Sequence, residues 1–313
     1  MDKEKRSIYK AFCEKAKLPI FVQDWFLDSA CKDGVWDFVS EEKKGEVIGI
    51  WPYFIKKKYG FTYLAMPPFV RYLGPFLLPE YNNLKDQHRI YDSLEKKLPA
   101  IHSFNQNSDP SVTNWLPFYW RNYKQSTRYT YRLNIENLEE VFKNFERDVR
   151  RNITKAKEHI EVIEEGTPEQ FYAIHKMTFD RQEMGMPYSL EFFLNHYKAL
   201  KENGNYKLFF AKADNGQIHA VGCLVKDGDM AYYHISGANP ELRKSGAGIL
   251  LAWHLIQYSK EQWGVNIFDF EGSMIKNVEQ VWHRMGGYQV PYFNIQKSNS
   301  KLFSFLEKLK GRG

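Results

Sequence analysis

Apolar residues along this chain recur with two periods, and each change of period marks an element. Spacings of three and four predict helices over about 5–16 and 22–32. Alternating and β-branched runs then predict strands at 36–40, 46–55 and 61–66. The first pair is joined by Glu41-Glu42-Lys43-Lys44-Gly45, and a lysine-rich turn at 56–58 precedes the third strand. A Pro/Gly-rich loop at 67–82, a helix at about 83–97 and a strand at 100–105 follow, before an aromatic, irregular stretch at 106–128. The order then recurs, with helices at about 138–158, 168–181 and 189–203 and strands at 206–213 and 217–226 joined by Asp214-Asn215-Gly216, a strong hairpin signal. A strand at 230–237, a helix to about 262, a strand at 265–271, a helix at 277–285, a strand at 288–297 and an amphipathic helix at 300–310 complete the pattern.

Helices, an antiparallel meander, a crossover helix and a further strand thus occur twice. The expected fold class is α/β in the broad sense (α+β), as two tandem units, each a mostly antiparallel sheet with flanking helices. The boundaries expected are 1–130 and 131–300, with the 300–310 helix packing back on the first unit.

Only the second copy carries a distinctive loop. Between the strand at 230–237 and its following helix runs Arg243-Lys244-Ser245-Gly246-Ala247-Gly248. Backbone N–H groups at a helix start, two glycines and two cations suit a pyrophosphate. The alternative is that Gly246 and Gly248 merely form a tight helix start. The corresponding loop of the first copy has Arg71, Gly74 and Pro75 without that spacing, so the first copy reads as degenerate.

Composition adds a little. A net charge of +6 favours anionic ligands without demanding nucleic acid, and DNA is not an expected partner. An aromatic share of 16% suits large cores and a cleft for a bulky ligand. Cys13, Cys31 and Cys223 lack metal or redox spacing and read as reduced thiols, so no metal and a cytoplasmic location are expected. No signal peptide is visible, and the longest apolar run, 248–256, is too short for a bilayer. Peripheral contact with a membrane surface stays open.

Several side chains could carry chemistry. Asp269 and Glu271, two apart on the strand at 265–271, share a face and suit a proton relay or an amine anchor. Alternatively, Asp269 pairs with a buried arginine and Glu271 caps the next helix. Tyr232, His234 and Ser236 share a face of the preceding strand by the same alternation, and His234 is a proton relay or a satisfied core histidine. Arg150, Arg151, Asn152 and Lys155 lie on one helical segment, where Arg151 and Lys155 form a phosphate clamp or a solvated basic face. Met184-Gly185-Met186-Pro187-Tyr188, with Arg181 at its base, is either a covering loop or an ordinary helix stop.

The second half resembles the GNAT acyltransferase superfamily, whose Arg/Gln-x-x-Gly-x-Gly/Ala loop holds the pyrophosphate of an acyl-coenzyme A. The matching positions are Arg243, Gly246 and Gly248. The doubled unit also resembles the Fem-type peptidyltransferases and their acetyltransferase-like relatives. That likeness rests on Arg151-Asn152-Ile153-x-Lys155-Ala156, Ser236-Gly237-Ala238, Phe268-Asp269-Phe270-Glu271-Gly272-Ser273, and Trp282 ahead of Gly286-Gly287. It spans about 125–297 and is fainter before.

The resemblance implies a GNAT-type N-acyltransferase using acyl-CoA, with acetyl-CoA the first expectation. Arg243, Lys244, Ser245, Gly246, Ala247, Gly248 and Ser236 would hold the cofactor. Arg151, Asn152, Lys155 and Tyr188 would face substrate, and Glu271, Asp269, His283 and His234 would serve catalysis. The family's tyrosine acid falls at Trp282 or His283, depending on which glycine sets the register. The Fem branch implies an aminoacyl-tRNA donor and a peptidoglycan-precursor acceptor. The coiled-coil arm of some Fem members has no heptad counterpart here, which disfavours tRNA. A third reading is a non-catalytic nucleotide- or CoA-binding protein. Expected acceptors are a small amine or a cell-wall precursor.

Overall fold

The computed structural model describes residues 1–181, 185–204, 206–272, 274–303 and 305. The chain divides into two compact units, Met1–Arg128 with Pro291–Gly313, and Tyr129–Val290.

The first unit opens with helices α1 (Lys3–Ala16) and α2 (Asp24–Ala30). Asp2 caps α1 by accepting from the Lys5 N–H at 2.8 Å. Where a single helix is predicted over 22–32, a 3-10 turn at Ile20–Val22, with all three of its side chains buried, comes first and α2 starts only at Asp24. A meander follows: β1 (Val35–Lys43), β2 (Glu46–Lys58) and β3 (Phe61–Ala65), with the short β4 (Phe76–Leu77) also paired to β2. Helix α3 (Leu84–Lys97), capped by Asn83, crosses over so that β5 (Ser103–Asn107) joins β3 in parallel. Trp51, Tyr91, Leu94, Phe104 and Phe118, the last from α4 (Leu116–Tyr119), fill the core. The Trp51 indole N–H is satisfied by the Gln106 side-chain oxygen at 2.8 Å.

In the second unit β6 (Lys124–Asn134) contributes its residues from Tyr129 on. This strand begins inside the stretch predicted to be irregular, where dense aromatics hide the Thr127–Tyr129–Tyr131 alternation. The predicted 138–158 helix is two helices, α5 (Leu138–Asn144) and α6 (Arg147–Ala156). Phe145 and Glu146 between them are extended, and the break lets Phe145 pack edge-on against Trp253. Then come β7 (Ile160–Ile163), absent from the sequence reading, and α7 (Pro168–Arg181) and α8 (Leu190–Asn203). The meander β8 (Tyr206–Ala213), β9 (Ile218–Asp227) and β10 (Met230–Ala238) leads through a 3-10 turn at Pro240–Ser245 into α9 (Ala247–Glu261). Helix α9 crosses over to β11 (Ile267–Asp269), parallel to β10, and α10 (Lys276–Arg284) follows. The unit's sheet order is β7-β8-β9-β10-β11-β6.

Both units share one winding: an antiparallel meander, a crossover helix, a parallel strand, then an antiparallel neighbour. In the second unit that neighbour is β6, paired through Arg132, Leu133 and Asn134. In the first it is β12 (Tyr288–Ser298), whose Asn294–Ser298 segment pairs with β5. Each sheet is therefore completed by a strand from far along the chain. Asn294 donates to the side chains of Asn105 and Asn107 across that pairing, at 2.8 and 2.9 Å. Beyond β12, Phe303 packs on Phe61 and Tyr63 of the first unit. Most of the predicted 300–310 helix, residues 304 and 306–310, lies outside the described residues.

Candidate functional site

Strand β10 organises the second unit's polar interior. It pairs with β11 only through Met230, Ala231 and Tyr232 and then runs on without it. On its other edge the register against β9 slips between Tyr233 and Ile235, so His234 is an extra residue, a β-bulge. The bulge overturns a prediction. Alternation alone puts Tyr232, His234 and Ser236 on one face. After the bulge, Ser236 instead lies opposite Gly222, which faces Leu251 and Leu255 of α9, whereas His234 turns toward α8.

The bulged His234 meets Glu271. Its Nδ1 lies 2.7 Å from Glu271 Oε1, and its Nε2 lies 3.5 Å from Nε2 of His196 on α8. His234's side chain is fully buried, whereas Glu271's keeps 12% exposure, so the carboxylate is the end that a substrate can reach. His196 is completely buried, and burial together with the neighbouring His234 holds its pKa well below the ordinary histidine value. It is a neutral imidazole at neutral pH, able to accept or pass on a proton but not to hold a charge cheaply. Burial, and then the Glu271 carboxylate, push the Cys223 thiol up, which leaves it inert as a nucleophile.

Glu271 is aimed by its backbone. It has φ +54°, and Gly272 follows at φ +58°. A Cβ on Gly272 would come within 2.3 Å of the Tyr129 carbonyl oxygen, so only glycine passes there. Asp269 holds this turn. It is fully buried, and it accepts from Thr130 Oγ1 at 2.5 Å, Arg132 Nε at 2.9 Å and the Glu271 N–H at 2.8 Å. The two acids thus have different environments. Glu271 is partly open with one imidazole partner, and Asp269 is saturated.

The glycine loop has the predicted strand–turn–helix setting. Gly246 sits at φ +76°, and a Cβ there would lie 3.2 Å from both Ala156 Cβ and the Asn152 carbonyl oxygen on α6. The fold itself therefore requires this glycine. A bulky residue at 246 would thus disturb the fold as well as the space a ligand would use. Gly248 differs. It is exposed and helical, and a Cβ would meet nothing within 4 Å. No packing demands glycine at 248, and the open space lies over first-turn N–H groups that lack helical acceptors. Arg243 and Lys244 are exposed and make no ion pair among the described residues, whereas Ser245 Oγ accepts from the Ala247 N–H. Arg151 and Lys155 lie on the exposed side of α6, and Asn152 of the same helix abuts Gly246. The residues present fit the phosphates of a coenzyme.

Tyr188 packs elsewhere. Its hydroxyl donates to His175 Nε2 at 2.5 Å, while His175 Nδ1 donates to the Ser236 carbonyl at 2.6 Å. Burial lowers the His175 pKa, against a smaller opposing effect of that carbonyl. Met184 of the same loop lies outside the described residues. On α10, Trp282 turns inward and stacks on Phe270, with centroids 4.5 Å apart, while His283 is exposed. The inward position is thus held by an indole, which cannot act as an acid. His175, His196, Thr130 and Arg132 escaped the sequence reading. His196 left a signal, because it interrupts the buried Phe192/Phe193/Leu200 face of α8. Among the described residues, no group of three or more His, Cys, Asp or Glu could hold a metal ion, and no helix is long and apolar enough to cross a membrane.

Comparison with known proteins places this geometry. Residues 125–276 match the acetyltransferase (GNAT) domain family. No curated protein matches the sequence significantly. Among solved structures, FemX aligns over 98% of both chains at a TM-score of 0.70 and 16% identity. A tandem GNAT protein from the clavulanic acid biosynthesis pathway aligns over 96% of both chains, at 0.57 and 10%. L-PGS from Bacillus licheniformis aligns over 100% of this chain and 97% of its own, at 0.55 and 11%. The chain therefore carries a GNAT acyltransferase domain over residues 125–276, within a fold that it shares along nearly its full length with FemX and a tandem GNAT protein.

Proposed function

We propose that the second unit transfers an acyl group from acyl-CoA, acetyl-CoA first among them, to an amine. The observation that carries this is the pairing of an open Gly248 at the α9 N-terminus with a strand, β10, that parts from β11 beside the Glu271–His234 pair. The loop amides with Arg243 and Lys244 would hold the pyrophosphate. The edge of β10 beyond Tyr232 would offer backbone groups to the thioester carbonyl. The amine nitrogen attacks that carbonyl carbon, the C–S bond breaks, and coenzyme A leaves as a thiolate. Glu271 takes the amine's proton directly or through one water, and His234 holds the carboxylate from behind. Asp269 acts as the positioning residue for Glu271. Arg151, Asn152 and Lys155 belong with the coenzyme rather than with the acceptor in this reading.

Isothermal calorimetry with acetyl-CoA and longer acyl-CoAs, followed by thiol release on addition of amines, tests the proposal. Saturable binding and amine-dependent thiol release are expected. No binding of any acyl-CoA would refute it. A second reading has its own support, because the FemX alignment is the better fit at 0.70 against 0.57. It is a Fem-type transfer of an aminoacyl group from tRNA to a peptidoglycan precursor. Aminoacyl transfer to such a precursor in the absence of acyl-CoA would select it.

A further inference from the structure

One end of the first unit's meander carries an unusual surface. The end of β2 and the turn into β3 hold Lys56, Lys57, Lys58 and Tyr59 in sequence, with Tyr59 73% exposed at the tip. The start of β1 lies beside it, because Val35 pairs with Ile55, and Val35 is 59% exposed. Lys32 and Asp33 precede Val35 and are both exposed. Lys56 also lies close enough to act on Cys31, at the end of α2, which joins the two segments into one patch. Phe303 packs on Phe61 and Tyr63 in the strand leaving the turn, and its neighbours Leu302 and Phe305 are 60% and 58% exposed. Lys301 adjoins them. Five lysines, Asp33 and four large apolar side chains thus share one end of this unit, with the paired Arg6 and Asp28 beside Val35 and Cys31.

We propose that this end of the first unit docks on an anionic phospholipid surface. Lysines ringing exposed aromatic and aliphatic groups match the two layers of a membrane interface. The ammonium groups meet the headgroups, and Tyr59, Val35, Leu302 and Phe305 enter the acyl boundary. Nucleic acid fits less well. It would reward free arginine forks and several stacking rings, whereas the arginine beside Val35, Arg6, is already held by Asp24 and Asp28, and the patch's exposed rings are Tyr59 and Phe305. The assignment is independent of the acyl-transfer reading, since none of these residues belongs to the second unit.

Co-sedimentation of the full chain with phosphatidylglycerol/phosphatidylcholine vesicles tests it, with pure phosphatidylcholine vesicles in parallel. Binding to the mixed vesicles, weakened by added salt, and not to the neutral ones is expected. Lys57→Glu with Lys58→Glu is expected to lower the partition coefficient by more than about tenfold. Tyr59→Ser is expected to lower it several-fold at unchanged charge. Lys57 and Lys58 are exposed at the end of β2 and Tyr59 in the turn after it, and unchanged circular dichroism and melting temperature establish that the variants fold. Failure of the native chain to bind mixed vesicles, or full binding by the charge-reversed variant, would overturn the proposal. So would binding of a single-stranded RNA that the charge reversal abolishes while vesicle binding is absent.

Discussion

Gly248→Glu is expected to move stability and ligand affinity in opposite directions, a combination that a purely structural glycine could not produce. Gly248 lies in the first turn of α9, and an added Cβ meets nothing within 4 Å. Glutamate therefore removes much of the backbone-entropy cost of glycine and places a carboxylate at a helix N-terminus, together about 0.5–1 kcal/mol, without a clash at Cβ. For a unit of this size that raises the melting temperature by roughly 1–4 °C. The same carboxylate occupies, and charges negatively, the space through which a pyrophosphate would approach the helix amides. Loss of one charge-assisted hydrogen bond costs about 1.5–3 kcal/mol, or roughly 10- to 150-fold in Kd. Gly246→Ala is the contrasting control. At φ +76°, with Ala156 and Asn152 at 3.2 Å, it is expected to lose about 1–2 kcal/mol of stability from backbone strain alone. Differential scanning calorimetry and titration with acetyl-CoA read both quantities. A Gly248→Glu protein that melts higher and binds acetyl-CoA as tightly as the native chain would refute the placement of the pyrophosphate on this turn.

Glu271→Gln is expected to lower turnover by about 10²–10⁴-fold with acyl-CoA affinity nearly unchanged, measured by steady-state thiol release; undiminished turnover would remove Glu271 from the chemistry. Arg132→Met leaves the fully buried Asp269 without its cation and is expected to cost about 3–5 kcal/mol in urea melts, far more than a surface ion pair. His175 and His196 have depressed pKa values, so the folded chain keeps them neutral while the unfolded chain protonates near pH 6.5. Their contribution is therefore complete above about pH 6.5 and is lost as pH falls from there through their folded-state values, at no more than about 1.4 kcal/mol per pH unit for each. Melting curves between neutral and mildly acid pH should show this slope, and His196→Gln should flatten it.

The doubled winding was legible because meander, crossover and parallel strand each impose their own apolar period. The bulge at His234 was not. Strict alternation assumes an unbroken register, and one extra residue sent Ser236 to the α9 face. The break at Phe145 was hidden because Val141, Phe145, Val149 and Ile153 keep helical spacing straight through it. At the site, the strand-end acids and the glycine loop could be found from local sequence. Their different environments could not, since Asp269 is saturated by Arg132, 137 residues away, and Glu271 meets a histidine 37 residues away. Only His196 could have been added from local pattern, as a polar residue on an otherwise apolar helix face.

The strand that completes the first sheet has a consequence for the chain's birth. Asn107 waits for Asn294, 187 residues later. At ribosomal speeds of about 5–20 residues per second, that delay is roughly 10–40 s. Through that interval the second unit can emerge and close, while β5 stands as a bare edge, the kind of edge that recruits wrong partners. What the edge presents is Ser103-Phe104-Asn105-Gln106-Asn107, mostly amides that water can satisfy as well as the native neighbour later does. The nascent first unit is thus kept soluble by the same side chains that later knit it shut, and the final strand acts as a clasp fastened last.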